Sequence, residues 1–183
     1  IVGTIPHSKS VSYTLSVLPM FILIGYLAFH AGITHSLFDA ARKWFGFLPG
    51  GLAVASVLAT AGFSAVSGAS TATAAVFSRI AIPEMLSAGY SPRIAAGVVA
   101  AAGTLATLIP PSAILVIYAI IVEESVGKLL LAGFIPGIVS ALIYVLLILV
   151  WAKIDPKLGP AIKGYTWGER IRSVPGTFPV ILV

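Results

Sequence analysis

Four long stretches of this chain carry no charge, and they constrain the fold more than any other feature. Between Lys9 and Asp39 lie 29 uncharged residues, between Lys43 and Arg79 lie 35, between Arg93 and Glu123 lie 29, and between Lys128 and Lys153 lie 24. A helix that crosses a bilayer needs about 20. Residues 12–29, 93–122 and 129–151 each suit one crossing, with some tilt or a break. Only 9% of the chain is charged, against about a quarter in a soluble domain. Mean hydropathy is +1.06. A soluble globular domain and a disordered chain are both excluded. The expected fold class is an all-α integral membrane protein, since backbone in lipid must satisfy its own hydrogen bonds. The chain starts at Ile1 and closes on the apolar run 174–183, so a piece of a longer membrane protein is expected, with the next helix just beginning.

The 35-residue run fits neither one crossing nor two. From Ser64 to Ala75 it reads SAVSGASTATAA, which lacks the bulky side chains of a lipid-facing helix. Small residues permit close helix packing, and their hydroxyls suit a protein-lined cavity. Residues 48–80 are therefore expected to form a re-entrant helical hairpin with its tip near Ser67-Gly68-Ala69-Ser70. Legs of about 15 residues reach roughly 23 Å, past mid-membrane. The alternative is a full crossing from Leu48 followed by a short dip. With the hairpin, nine basic residues fall on one side and two, Lys9 and Lys128, on the other; with the full crossing the split is eight to three. The hairpin is the better fit to the excess of Lys and Arg on the cytoplasmic side.

Connecting segments carry their own signals. Residues 34–46 read as an interfacial amphipathic helix, with Leu37, Ala41, Trp44 and Phe45 on one face and Ser36 with Asp39 spaced as a capping box. Ser91-Pro92 reads as an N-cap and first helical residue. The helix that follows is interrupted at Ile109-Pro110-Pro111-Ser112, because two prolines remove two donors and push the preceding residue out of the α region. Pro136 is expected only to kink the last span, and residues 153–172 to form a basic cytoplasmic loop. The net charge of +5 then reflects loops beside a membrane and not a nucleic-acid partner.

Catalysis finds little support. The chain has no cysteine, no His-Glu-x-x-His pair and no two acids within one span. Gly62-Phe63-Ser64-Ala65-Val66 lacks the second glycine of a nucleophile elbow. What remains is a site without charges. Freed carbonyls and Ser/Thr oxygens at the two interruptions are hard ligands for a small cation such as Na⁺. Half-helix N-termini favour an anion. Together they form the pattern of an ion-coupled carrier for an anionic solute. The plainer alternative is that these hydroxyls only tie helices together.

Several motifs occur in a familiar order. They are Pro19-Met20-Phe21-Ile22-Leu23-Ile24-Gly25, Leu48-Pro49-Gly50-Gly51-Leu52-Ala53, the 64–73 run, Ile82-Pro83-Glu84-Met85 with Gly89-Tyr90, Ala102-Gly103-Thr104-Leu105 with Ile109-Pro110-Pro111-Ser112, and Ser125-Val126-Gly127-Lys128 through Gly133-Phe134-Ile135-Pro136-Gly137. The set closely resembles the large membrane (permease, DctM-like) subunit of the tripartite ATP-independent periplasmic, or TRAP, transporters. That resemblance implies the first half of an inverted-repeat, elevator-type transporter. Residues 1–47 would be a scaffold-type helix and an arm helix, 48–122 a transport-type unit with hairpin 48–80 and broken helix 92–122, 123–151 a transmembrane helix, and 152–183 a basic loop with the start of a truncated helix. It further implies a small membrane subunit and a periplasmic solute-binding protein as partners, a bacterial or archaeal inner membrane, an organic-acid substrate and Na⁺ as coupling ion, with no other cofactor or metal. Carried over by position, Ser67, Gly68, Ser70, Gly103, Thr104 and Pro110 would bind Na⁺, and Ser70, Thr71, Pro111 and Ser112 would line the substrate cavity. Ala69 stands where many relatives have serine, so only its backbone is offered. A divalent-anion/sodium symporter of similar architecture and a non-transporting membrane scaffold are the competing readings.

The charge asymmetry places residues 39–46, 88–93 and 153–172 in the cytoplasm and 123–128 outside. Single cysteines introduced at Gly127, Lys43 and Lys163 should separate cleanly under an impermeant thiol reagent in intact cells. Labelling is expected at Gly127 alone, and labelling at Lys43 or Lys163 without Gly127 would invert the assignment.

Overall fold

A computed structural model describes residues 13–155, 159–162 and 165–177, with side chains from Pro19 onward except Phe21 and Ile22. Lys9, Lys157, Lys163 and the 178–183 part of the expected next helix lie outside these residues. All regular structure among them is helical. Eight α-helices follow in order: α1 Tyr13–His30, α2 Ile33–Phe45, α3 Gly51–Ser67, α4 Ser70–Ser87, α5 Pro92–Gly103, α6 Ala113–Ile121, α7 Val126–Ile154 and α8 Trp167–Ser173. A 3-10 turn, Thr104–Thr107, extends α5, and another, Pro175–Thr177, follows α8. Among the described residues one helix, α7, is both long and apolar enough to cross a membrane; Gly51–Ser67 and the run Pro92–Thr107 are apolar but shorter.

The core sits around α3, whose Leu52, Ala53, Val54, Ala55 and Val57 are all within 1% of complete burial. This helix has little amphipathic character because it is covered on nearly every side: α1, α2, α4, α5 and α7 all pack on it. Three of its four hydroxyl residues, Ser56, Thr60 and Ser64, recur every four positions and are fully buried. Each donates to the carbonyl one turn back, at 2.8, 2.6 and 2.7 Å. Such back-bonding is how a helix hides a hydroxyl where water is absent.

After Ser67 the chain turns back on itself. Ser67 Oγ meets Thr73 Oγ1 at 2.7 Å, the Phe63 and Phe77 rings meet at 5.9 Å between centroids, and Ser56 Oγ reaches Met85 Sδ at 3.9 Å. These pairs are centred on position 70, so α3 and α4 lie antiparallel as the two legs of a hairpin. The second leg runs further than the sequence implies. It passes Pro83 and ends at Ser87, not near Ile80, because one missing N–H inside a helix is tolerated where neighbours hold both sides.

Two connecting segments correct the sequence reading. Helix α2 begins at Ile33, after Gly32 in the left-handed region at φ 77°, and has no side-chain cap. Ser36 is thus inside the helix, and Asp39 pairs with Arg42 at 2.9 Å and Lys43 at 2.6 Å instead of capping. Burial raises the pKa of the Asp39 carboxyl, but hydrogen bonds from Lys43 and Arg42 outweigh it and hold the group below its ordinary value. Arg42 also bonds Glu84 at 3.0 Å, which ties α2 to the base of the hairpin. The basic tail is not simply a loop. Thr166 and Glu169 form a capping box that starts α8, which packs on α2, and Trp44 Nε1 donates to Arg170 O at 3.2 Å.

Helix α7 turns a stripe of Gly133, Gly137, Ala141, Ile148 and Ala152 inward and leaves Leu131, Ile135, Leu142 and Leu146 exposed. It runs without interruption through Pro136. A Cβ on Gly137 would lie 2.8 Å from Ile109 Cγ1, so the helix rests directly on the interrupted segment. Gly137→Val should therefore lower the thermal midpoint of the full-length protein, at a cost of about 1–3 kcal/mol for overpacking. Gly168→Ala, where an added Cβ meets nothing within 4 Å, should leave it unchanged or slightly raised.

Candidate functional site

Two backbone interruptions meet inside the molecule. Proline chemistry makes one of them. Helix α5 opens as expected, with Ser91 Oγ accepting from Ile94 N and Pro92 in the first turn. It tightens into the 3-10 turn 104–107 and stops, and regular structure resumes at Ala113. The Pro110-Pro111 peptide bond is cis. Ser112 caps α6 by accepting from Leu115 N at 3.4 Å, while its hydroxyl donates to Thr107 O at 2.7 Å. One buried side chain thus closes both sides of the gap.

Glycine makes the other interruption. Gly68 ends α3 with φ 62°, a conformation an L side chain adopts only with strain. Its Cα faces the break so closely that a Cβ would overlap the Pro111 carbonyl oxygen. The Gly68 carbonyl in turn accepts from Ala113 N at 3.2 Å. The C-terminal end of α3 is thereby joined to the N-terminal end of α6 by a backbone hydrogen bond between segments 45 positions apart. On its other flank the tip meets α1, where a Cβ on Gly25 would lie 2.9 Å from Ser67 Cα. Gly103, similarly, comes against Ala74 of α4.

The candidate residues divide by what their polar groups do. Ser67 is buried and paired with Thr73. Ser112 is buried and used twice by the break. Thr104 is exposed and engaged away from the tip, with Ala101 O at 2.6 Å and the Tyr144 hydroxyl of α7 at 3.2 Å. Gly68, Gly103, Pro110 and Pro111 contribute backbone alone. Ser70 and Thr71 differ. Among the described residues neither hydroxyl has a hydrogen-bond partner; Ser70 is half-buried and Thr71 exposed. They open α4 behind Ala69, which has no side-chain oxygen to cap the helix. Helix geometry leaves the N–H groups of Ser70, Thr71 and Ala72 without intrahelical acceptors. The first turn of α4 is thus a set of free donors at the positive end of an 18-residue helix.

Sequence reasoning missed Thr73, Gly25, Tyr144 and the pair Gly133 and Gly137. Only the last pair carried a legible mark, the small-x-x-x-small spacing of close helix contacts.

Comparison with known proteins decides the affiliation. Residues 8–172 match the family described as the tripartite ATP-independent periplasmic transporter, DctM component. The chain belongs to that family. It is 44% identical over 142 residues to the C4-dicarboxylate TRAP transporter large permease protein DctM of Pseudomonas aeruginosa, covering 78% of this chain and 33% of that protein. It is 40% identical over 166 residues to the large permease protein of the same description from Vibrio cholerae, covering 85% and 37%. It is 35% identical over 141 residues to the isethionate TRAP transporter permease protein DctMQ of Oleidesulfovibrio alaskensis, covering 77% and 22%. The chain spans about a third of the length of the two DctM proteins. DctM components are integral membrane transport proteins and not enzymes, in line with the lack of catalytic groups in the sequence.

The tip's dependence on glycine is open to test. Gly68→Ala, which adds one methyl against the Pro111 carbonyl in a left-handed conformation, should abolish transport by the complete DctM assembly. Ala69→Ser, in extended backbone, should retain it. Uptake into proteoliposomes separates the two; wild-type uptake by Gly68→Ala would show that the tip tolerates a displaced backbone.

Proposed function

We propose that this chain is the part of a DctM large permease that forms one repeat of a sodium-coupled, elevator-type carrier of organic acids. The carrier lies in the cytoplasmic membrane of a bacterium or archaeon, with several crossings. It works with a small membrane subunit and takes its substrate from a periplasmic solute-binding protein. C4-dicarboxylates are the leading substrate class, because the two most similar relatives described above are C4-dicarboxylate permeases. Sialic acid is the second, through the sialic acid permease protein SiaT of Haemophilus influenzae, 37% identical over 131 residues.

One observation carries the reading: the uncapped first turn of α4, with its free Ser70 and Thr71 hydroxyls, stands beside the interrupted end of α5. The free N–H groups suit a carboxylate. Carbonyls released at Leu108–Pro111 suit a small hard cation. No charged side chain is needed to neutralise either ion, which fits a segment otherwise built for lipid. Ser67 and Ser112 hold the backbone in register through their own hydrogen bonds, and a shift of the tip toward the ion would free them as ligands.

The decisive measurement is uptake by the complete reconstituted complex with and without an inward Na⁺ gradient, which should accelerate it. Ser67→Ala and Ser70→Ala should each weaken the apparent Na⁺ affinity by roughly 5- to 150-fold, the equivalent of about 1–3 kcal/mol for one lost buried partner. Pro110→Ala combined with Pro111→Ala should lower uptake more than folded yield, since a continuous helix recaptures the released carbonyls. Wild-type Na⁺ dependence in all of these variants would reduce the tip and the break to structural roles.

A further inference from the structure

Away from the tip, α3, α5 and α7 enclose a trough of about 340 Å³. Along α5 it runs from Arg93 to Ala101 and along α7 from Ala152 back to Tyr144. Eight residues of helix on either side make it roughly 12 Å deep. Its floor is Ala53 and Val57 of α3, and its walls are almost wholly apolar. Half-way down, Gly97 leaves it open, since a Cβ there would meet nothing within 4 Å. The inner end lies at the level where the Tyr144 hydroxyl meets Thr104 Oγ1, a bridge from the end of α5 to α7. At the outer end stand Trp151, 54% exposed, and Arg93, exposed and without an ion-pair partner among the described residues.

We propose that this trough holds one acyl chain of an anionic phospholipid, with the lipid phosphate on Arg93. An organic acid would find almost no polar group inside the trough. A membrane-crossing helix from another part of the protein would need to run on across about 30 Å of hydrocarbon, whereas this slot stops at the level of the Thr104–Tyr144 bridge. A flexible alkyl chain can lay its upper part in such a slot and bend out past its end. A guanidinium at the mouth supplies the complementary charge and can bind a phosphate through two parallel N–H donors. Trp151 beside it suits the headgroup level. The proposal rests on the membrane placement given above and is independent of sodium coupling.

The test uses the full-length permease in mild detergent, equilibrated with phosphatidylglycerol or phosphatidylcholine and weighed intact by native mass spectrometry. Wild type should retain phosphatidylglycerol preferentially. Arg93→Gln should lower that retention about tenfold, equivalent to about 1.4 kcal/mol, while Arg93→Lys keeps most of it. Gly97→Leu, which fills the trough from an exposed position on α5, should lose it with the arginine intact. A benzophenone side chain placed at Gly97 should crosslink to lipid. Unchanged retention in Arg93→Gln or Gly97→Leu overturns the proposal, as does equal retention of the two lipids or a crosslink to another protein segment. Retention is read without a gradient, so its failure and the failure of sodium-coupled uptake are separate results.

Discussion

Backbone that leaves the helix where protein covers it has nowhere to find water, and this requirement governs the arrangement around the two breaks. Two segments break, one at glycine and one at proline, and each supplies what the other lacks. The Ala113 N–H, orphaned at the start of α6, finds the Gly68 carbonyl, orphaned at the end of α3. Everything nearby serves to hold that junction closed. Gly25 lets α1 come within contact of Ser67, Gly103 lets α5 reach Ala74, and Gly137 lets α7 press on Ile109. In each case the missing side chain is what allows a backbone to be covered by protein.

The same economy explains the hydroxyls. A chain with 9% charge still carries many serines and threonines in its apolar stretches, and most of them bond close to home. Ser56, Thr60 and Ser64 return to their own helix, and Ser112 spans its own break. Against that background the free hydroxyls of Ser70 and Thr71 stand out. They occupy the one helix start around the junction that has no capping side chain.

How much of this was legible depended on how local each cause was. Pro110-Pro111 breaks a helix by its own chemistry, and Ser91-Pro92 starts one, so both could be read from a few residues. The SAVSGASTATAA composition marked the reversal to within a residue or two. The end of the second leg was missed because the helix continues through Pro83, with Ala81 and Met85 on either side of it fully buried. Helix α8 was missed although Thr166-x-x-Glu169 was in plain view, because a short charged segment has no apolar periodicity to announce it. The Ser67–Thr73 pair, the reach of Gly25 and the engagement of Thr104 by Tyr144 arise only when distant segments approach, and no local pattern encodes them. In the candidate site, the sequence marked two segments that the fold brings together but could not say which hydroxyls would be spent internally.

Head-to-tail joining of α3 to α6 has an electrical consequence. Four helix ends come together around the junction, two positive and two negative. The negative end of α3 and the positive end of α6 are bonded to each other, so their partial charges largely cancel. The contact of Gly103 with Ala74 sets the remaining two side by side: the positive head of α4 and the negative foot of α5. The assembly is left with a lateral dipole and no net charge. An anion settled on one pole deepens the well for a cation on the other, and removing either raises the energy of the one that stays. Two opposite charges at such poles would enter and leave most cheaply as a pair.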